Sequence, residues 1–225
     1  MTKSAFAWKL SPGLCIPFGY AQPATTVGSR IGGVPPQAAI PQFETPFQKY
    51  FGTLEFDADF AISIFYSFEI FGESSDRDIL KFHYQVLQPS SWIHAVVHPI
   101  SGPTEKAPIP AEVTCHQLQI GESEQDLEEV EVDLFPWQDQ AGKTQQIPNP
   151  DSKCGGVPYV EHAAHVAEKF AQLAADGYRQ LVQFGCPNRN ELDYVERFPW
   201  DPGWLHVFVR GELPAELEFA FLIQY

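Results

Sequence analysis

Between Gly121 and Asp133 the chain carries seven carboxylates and no basic residue: Glu122, Glu124, Asp126, Glu128, Glu129, Glu131 and Asp133. The second half of this stretch alternates, with Val130, Val132 and Leu134 set against Glu129, Glu131 and Asp133. That alternation predicts a strand with one buried face and one carboxylate face, the acids spaced about 6.6–7 Å apart. Phe135 and Trp137 follow directly. Two roles suit such a strand. An edge strand carries charge to prevent edge-to-edge aggregation. A docking strand uses carboxylates to steer a basic partner and aromatic side chains to anchor it. Like charges at this density repel one another, which is a reason to look for a compensating partner.

Other groups capable of chemistry are scattered. His162 and His165 lie three apart in a helical pattern with Glu161 beside them, half of a metal site or a solvated face. His94 and His98 share a strand face with Trp92, but four residues along a strand is about 13 Å, too far to share a metal. A hydrolase built from His83, His94 and His98 with Asp57 or Asp59 is the remaining catalytic reading. No G-x-S-x-G elbow, P-loop, G-x-G-x-x-G or H-E-x-x-H is present. The expectation is a protein with no catalytic residue, metal or cofactor. Cys15, Cys115, Cys154 and Cys186 form no C-x-x-C pair, so reduced thiols in a cytoplasmic protein are expected.

Composition limits the partners. With 29 acidic and 14 basic residues the net charge is −15, which repels phosphate backbones and anionic membranes. The same charge steers a basic protein inward. No stretch reaches the roughly 20 apolar residues of a membrane span, and Pro12 and Pro17 interrupt any signal-peptide core. The 20 prolines exclude long bundles and coiled coils.

The elements that must position these groups are therefore strands. Phe56 to Ile70 alternates with period two and predicts one half-buried strand, bent near its middle. Leu80, Phe82, Tyr84 and Val86 repeat the pattern, with 72–78 as the hairpin loop. Further strands are predicted at 91–98, 113–120, 204–210 and 216–225. Val160 to Asp176 is the exception. Ala163, Val166, Ala167, Phe170, Leu173 and Ala174 recur at helical spacing, and Gly177 supplies a C-cap. Gln42–Phe51 predicts a shorter helix. The fold class is mainly β: antiparallel sheets from two duplicated units and one amphipathic helix.

The duplication is visible in the residues. Ser29-Arg30-Ile31-Gly32-Gly33-Val34-Pro35 recurs as Ser152-Lys153-Cys154-Gly155-Gly156-Val157-Pro158. A strand-like run follows each copy, 52–57 and 179–184, and then a strand pair, 80–87 with 91–98 and 204–210 with 216–225. The expected organisation is one domain, 1–225, made of a first repeat (28–120), the acidic strand and linker (121–150) and a second repeat (151–225). Gly32, Gly33 and Pro35, with Gly155, Gly156 and Pro158, read as a structural turn. Their amides beside Arg30 or Lys153 also suit an anion-binding nest.

With these motifs, with Leu181-Val182-Gln183-Phe184 and with Trp200-Asp201-Pro202-Gly203-Trp204-Leu205-His206-Val207-Phe208, the chain resembles the YwqG-like family of bacterial proteins, the domain of unknown function 1963. The likeness is strongest over 150–210 and thinner over 28–60. It implies a mainly β fold with internal duplication and carries over no catalytic residue. Members also occur near polymorphic and type VI secretion toxins, where they look like immunity proteins. The functional expectation is an immunity protein that binds a basic toxin, a type VI secretion nuclease, and covers its cationic surface without touching nucleic acid or membrane. The alternative is a small-ligand or peptide binder using a cleft between the repeats, lined by Trp, Tyr and the paired G-G-V-P loops. The 197–204 segment, with Trp200 and Trp204, is either a packed cover or a second interface.

Overall fold

The structure, a computed structural model, describes residues 5–11, 13–21, 27–43, 47–68, 81–104, 112–131, 144–148, 151–160, 164–185, 198–200 and 203–224, with the backbone alone for 128–131, 144–148 and 164. The chain is mainly β, with one α-helix among the described residues and a large antiparallel sheet that curls nearly into a barrel. Its strands are β1 (Leu14–Ala21), β2 (Arg30–Ile31), β3 (Lys49–Phe56), β4 (Phe60–Tyr66), β5 (Val86–Leu87), β6 (Ile93–Pro99) and β7 (His116–Ile120). After β7 come β8 (Glu124–Gln125), β9 (Leu127–Glu131), β10 (Thr144–Pro148), β11 (Lys153–Gly155), β12 (Arg179–Gly185), β13 (Trp204–Arg210) and β14 (Glu218–Gln224). The helix α1 (Ala164–Ala175) lies between β11 and β12.

The spatial order is β5-β14-β13-β12-β11-β1-β7-β2-β3-β4-β6, with β8 added beside β1 and β9–β10 forming a separate two-stranded ribbon. This order is symmetric about its centre. There β1 pairs with β7, Phe18 opposite Ile120, Gly19 opposite Gln119 and Tyr20 opposite Leu118. On one side β7 pairs with β2, Arg30 opposite Gln117 and Ile31 opposite His116. On the other β1 pairs with β11, Lys153 opposite Pro17 and Cys154 opposite Ile16. The next strands repeat the match. Arg30 faces Thr53 and Ile31 faces Gly52, as Lys153 faces Gln183 and Cys154 faces Val182. Even the irregularities coincide: register shifts between Tyr50 and Gly52 in one half and between Gln180 and Val182 in the other.

Two consequences follow from this register. The counterparts of β13 and β14 are β4 and β6, not the 80–87 segment, of whose described part only Val86–Leu87 is strand. The repeat also begins one strand earlier than the motif, at β1 in the first copy and β7 in the second. Each copy lends that strand to the other: β1 pairs with β11, and β7 pairs with β2.

The predicted strand from Phe56 to Ile70 is a hairpin. β3 ends at Phe56, residues 57–59 turn with Asp59 at φ 60°, and β4 starts at Phe60. An aspartate tolerates that left-handed conformation better than most side chains. Phe56 and Phe60 are directly opposed, so inward-facing positions keep the same parity on both sides of the turn. β4 is buried on both faces rather than one. Its outer face is covered by the 33–43 loop, where Ala39 packs with Tyr50, Phe65 and Val96. In the second half α1 does this work, setting Val166, Phe170 and Leu173 on Phe208, Ala220 and Leu222. A Schellman end closes α1: Gly177 sits at φ 84°, its N–H donates to Ala174 O, and the Tyr178 N–H donates to Leu173 O. The described residues of the predicted 42–51 helix contain no helix, because Lys49–Phe51 are the start of β3. The 72–78 loop lies outside the described residues.

The inner face of the curled sheet is aromatic. Phe6, Phe18, Phe51, Phe56, Phe184 and Trp200 are buried there together. Phe198 and Trp200 of the 197–204 segment pack edge-on against Phe51, so these two residues belong to the core.

Candidate functional site

The paired motif is built by the first-turn glycines. Gly32, Gly33, Gly155 and Gly156 all have φ between 66° and 76°. A Cβ on Gly33 would stand 2.8 Å from Cys115 Sγ, and one on Gly156 would stand 2.9 Å from Cys15 Cβ. The two cysteines are counterparts by register, each packed on the other copy's turn. Cys15, Cys115 and Cys154 are free thiols, and Cys186 lies outside the described residues. Burial pushes the Cys15 and Cys154 thiols up to about 12, which makes them unreactive at neutral pH.

The basic residue of each copy points inward. Arg30 is buried and donates to Gly28 O at 3.0 Å and to Val34 O at 2.7 Å. Lys153 is buried too, and its Nζ lies 2.6 Å from Asp126 Oδ1, both side chains fully enclosed. Asp126 Oδ2 accepts the Val157 N–H. A Cβ on Gly156 would collide with that oxygen at 2.2 Å. The second turn is therefore both a backbone device and an anion seat, and the anion is the chain's own carboxylate. Burial pushes Lys153 down while the Asp126 hydrogen bond opposes it.

This placement corrects one member of the acidic set. Asp126 does not share an exposed face with its neighbours; it lies between β8 and β9 with no exposed surface. Nothing in the alternation of acids marks it, because its partner is 27 residues away. The signal that could have found it is the buried cation that each G-G-V-P copy carries. Glu122 and Glu124 are exposed. Glu128, Glu129 and Glu131 lie on the β9–β10 ribbon, opposite Ile147, Gln146 and Thr144. No cross-strand partner in the ribbon is basic. Asp133, Phe135 and Trp137 lie outside the described residues. The acidic strand is thus one arm of a ribbon rather than an edge of the main sheet.

His98 accepts from Ser63 Oγ through Nε2 at 2.8 Å, and its Nδ1 donates to Pro99 O at 2.8 Å. That is the bond order of a serine nucleophile and its base. Both residues are buried, however, and Ser63 continues into Thr53 (2.7 Å) and Tyr50 (2.5 Å), an internal polar chain between strands. His94 stacks on Phe65, and burial holds it down at about 4. His206, enclosed near Lys153, is held down at about 3, chiefly by burial. Asp57 instead accepts the Trp8 N–H at 2.9 Å. His165 is exposed on α1, and His162 lies outside the described residues. No group of three metal-ligating side chains occurs among the described residues, and none of their helices is long and apolar enough to cross a membrane.

Two cavities open on the surface. One of about 460 Å³ lies at the seam between the last strands of the two halves, lined by Ala95, Val97, Leu217 and Phe219 among others. The other, about 390 Å³, lies against the second motif copy, lined by Trp8, Leu10, Gly155, Gly156 and Arg179 among others. The seam cavity has no Trp, Tyr or G-G-V-P residue in its wall. Comparison with protein families, curated proteins and solved structures returns no match to this chain.

Proposed function

We propose that this protein is a non-enzymatic binding protein whose acidic ribbon docks a basic protein partner. The observation that carries the reading is the ribbon itself. Exposed Glu122 and Glu124 lead into a β9 strand bearing Glu128, Glu129 and Glu131, and the opposing β10 residues Thr144, Gln145, Gln146 and Ile147 supply no counter-charge. Carboxylates gathered at this density are stabilised when a cationic surface covers them. The chain's net charge of −15 acts in the same direction at longer range.

The resemblance to YwqG-like proteins extends this to an immunity role: neutralising a basic nuclease toxin of the type VI kind in the bacterial cytoplasm. The carboxylates would take the positions of phosphates on the toxin's substrate-binding face, and the substrate would be excluded.

The test is a pull-down with the tagged chain from its native host, followed by association kinetics with the captured basic protein at several salt concentrations. Reversing Glu122, Glu124, Glu129 and Glu131 to lysine is expected to slow association more than it speeds dissociation, and to flatten the salt dependence. Capture of no basic protein, or an on-rate untouched by the reversal, overturns the proposal.

A further inference from the structure

The internal symmetry exposes a difference between the halves. Lys49 opens β3 opposite Tyr66, and Arg179 opens β12 opposite Val209, so the two cations are counterparts. Lys49 is fully engaged. Its Nζ lies 2.7 Å from Glu112 Oε1 and 3.3 Å from Phe68 O, and it stands over the Tyr66 ring at 5.9 Å. Glu112 comes from the segment leading into β7.

Arg179 also lies on an aromatic ring, 4.4 Å from the centroid of Trp8, but no side-chain hydrogen bond or ion pair joins its guanidinium to another described residue. The segment leading into β1, from Ala5 to Gly13, contains no acidic residue at all. Cys15 and Cys115 are register counterparts, and none of the residues just before Cys15 is acidic, whereas Glu112 stands three before Cys115. Where the first half has its carboxylate, the second has the 390 Å³ cavity. Glu212 and Lys9 also line it, 3.2 Å apart at the solvent-exposed rim, and the Glu212 charge is felt at Arg179 without a direct ion pair between them. The wall also has an apolar part, Leu10, Leu14, Leu181 and Cys154, beside the polar Lys9, Ser11 and Gln180. A guanidinium resting on an aromatic ring in the wall of such a cavity keeps its planar fork of donors for a carboxylate.

We propose that this cavity binds a monocarboxylate with an aliphatic tail, Arg179 taking the carboxylate as Lys49 takes Glu112 and the tail lying along Leu10 and Leu14. The cavity has no ribbon carboxylate in its wall, and the proposal stands or falls independently of the docking reading. The volume is within the usual range for small-ligand pockets.

Octanoate and 1-octanol serve as probes, titrated into the full chain by calorimetry and by thermal shift. Octanoate is expected to bind and raise the melting temperature, with octanol at least tenfold weaker. Arg179→Gln is expected to lose at least tenfold in octanoate affinity, and Arg179→Lys to stay within a few-fold of wild type. Equal affinity for the acid and the alcohol, undiminished octanoate binding by Arg179→Gln, or no octanoate binding at millimolar concentration overturns the assignment. Should Arg179→Gln fail to fold, the acid–alcohol comparison on the wild-type chain decides alone.

Discussion

Replacing Asp126 by asparagine removes one charge from a pair that water does not reach. Lys153 Nζ stands 2.6 Å from Oδ1, and Val157 N–H donates to Oδ2. Asparagine keeps the shape, but one of its two positions becomes an N–H₂ group facing a donor. Whichever way the amide turns, Lys153 or Val157 loses its acceptor. Breaking a buried pair from one side costs about 3–5 kcal/mol, because the other charge stays enclosed and uncompensated. For a chain of this length about 2–4 °C of melting temperature accompanies each kcal/mol, so the expected fall is roughly 6–20 °C. Urea denaturation gives the free energy and a thermal melt gives the shift. Adding Lys153→Met should recover part of the loss, since no cation then remains to be buried. A loss below about 1 kcal/mol for Asp126→Asn would refute the account of this pair as a buried anion seat. The folded fraction of the variant should associate with a basic partner at the wild-type rate, which separates Asp126 from the ribbon acids.

Three further outcomes follow from the geometry. Burial holds His94 at about 4 and His206 at about 3, against 6.5 for an exposed imidazole, so below pH 6.5 the unfolded chain takes up protons that the folded chain refuses. Stability is therefore full above pH 6.5 and falls as pH drops toward 4, by about 1.4 kcal/mol per pH unit for each histidine. Urea titrations at pH 7, 5.5 and 4.5 measure it, and a double His94→Phe, His206→Phe variant should show a flatter profile. Gly156→Ala, which drives a methyl into Asp126 at φ 74°, should melt well below Gly13→Ala, which has φ 80° but only Gln125 Oε1 at 3.9 Å. Equal melting temperatures for the two would remove the packing argument for the motif. Finally, Glu112→Gln should destabilise the chain modestly through Lys49, whereas a Ser11→Ala change beside Arg179 should leave stability within about 0.5 kcal/mol of wild type by the same urea assay.

Much of the fold is legible in the residues, for reasons that also explain the misses. Trp204–Arg210 and Arg179–Gly185 read correctly because they alternate or run apolar between clear breakers. The β3–β4 hairpin is hidden because Asp57-Ala58-Asp59 contains no Gly, Pro or Asn and because an odd-numbered turn preserves the inward parity of Phe56 and Phe60. The 80–87 segment alternates like a strand, yet Tyr84 sits at φ 55° and the ladder there is two residues long. The repeated G-G-V-P motif is plain in the sequence. What surrounds it is not, because β1 and β7 share almost no residue types: Ile16 is matched by His116 and Pro17 by Gln117. Only the cysteine at the foot of each strand is common to both. The acidic segment was readable as charge but not as place, since the ribbon, the β8 bridge and the buried Asp126 are tertiary outcomes of pairing.

The exchange of first strands has a consequence for how the chain tolerates being cut. A single break in the 105–111 segment leaves a fragment with β1 to β6 and another with β7 to β14. Neither has a continuous sheet. In the first, β1 is cut off from β2 because β7 belongs between them; in the second, β7 is cut off from β11 because β1 belongs there. Each fragment thus carries the strand that completes the other, the relation of donor and acceptor in strand complementation. Separately expressed, the two pieces should be insoluble or unfolded. Expressed together, they should assemble into a one-to-one complex, a built-in split reporter held by two reciprocal strand insertions rather than by a surface interface.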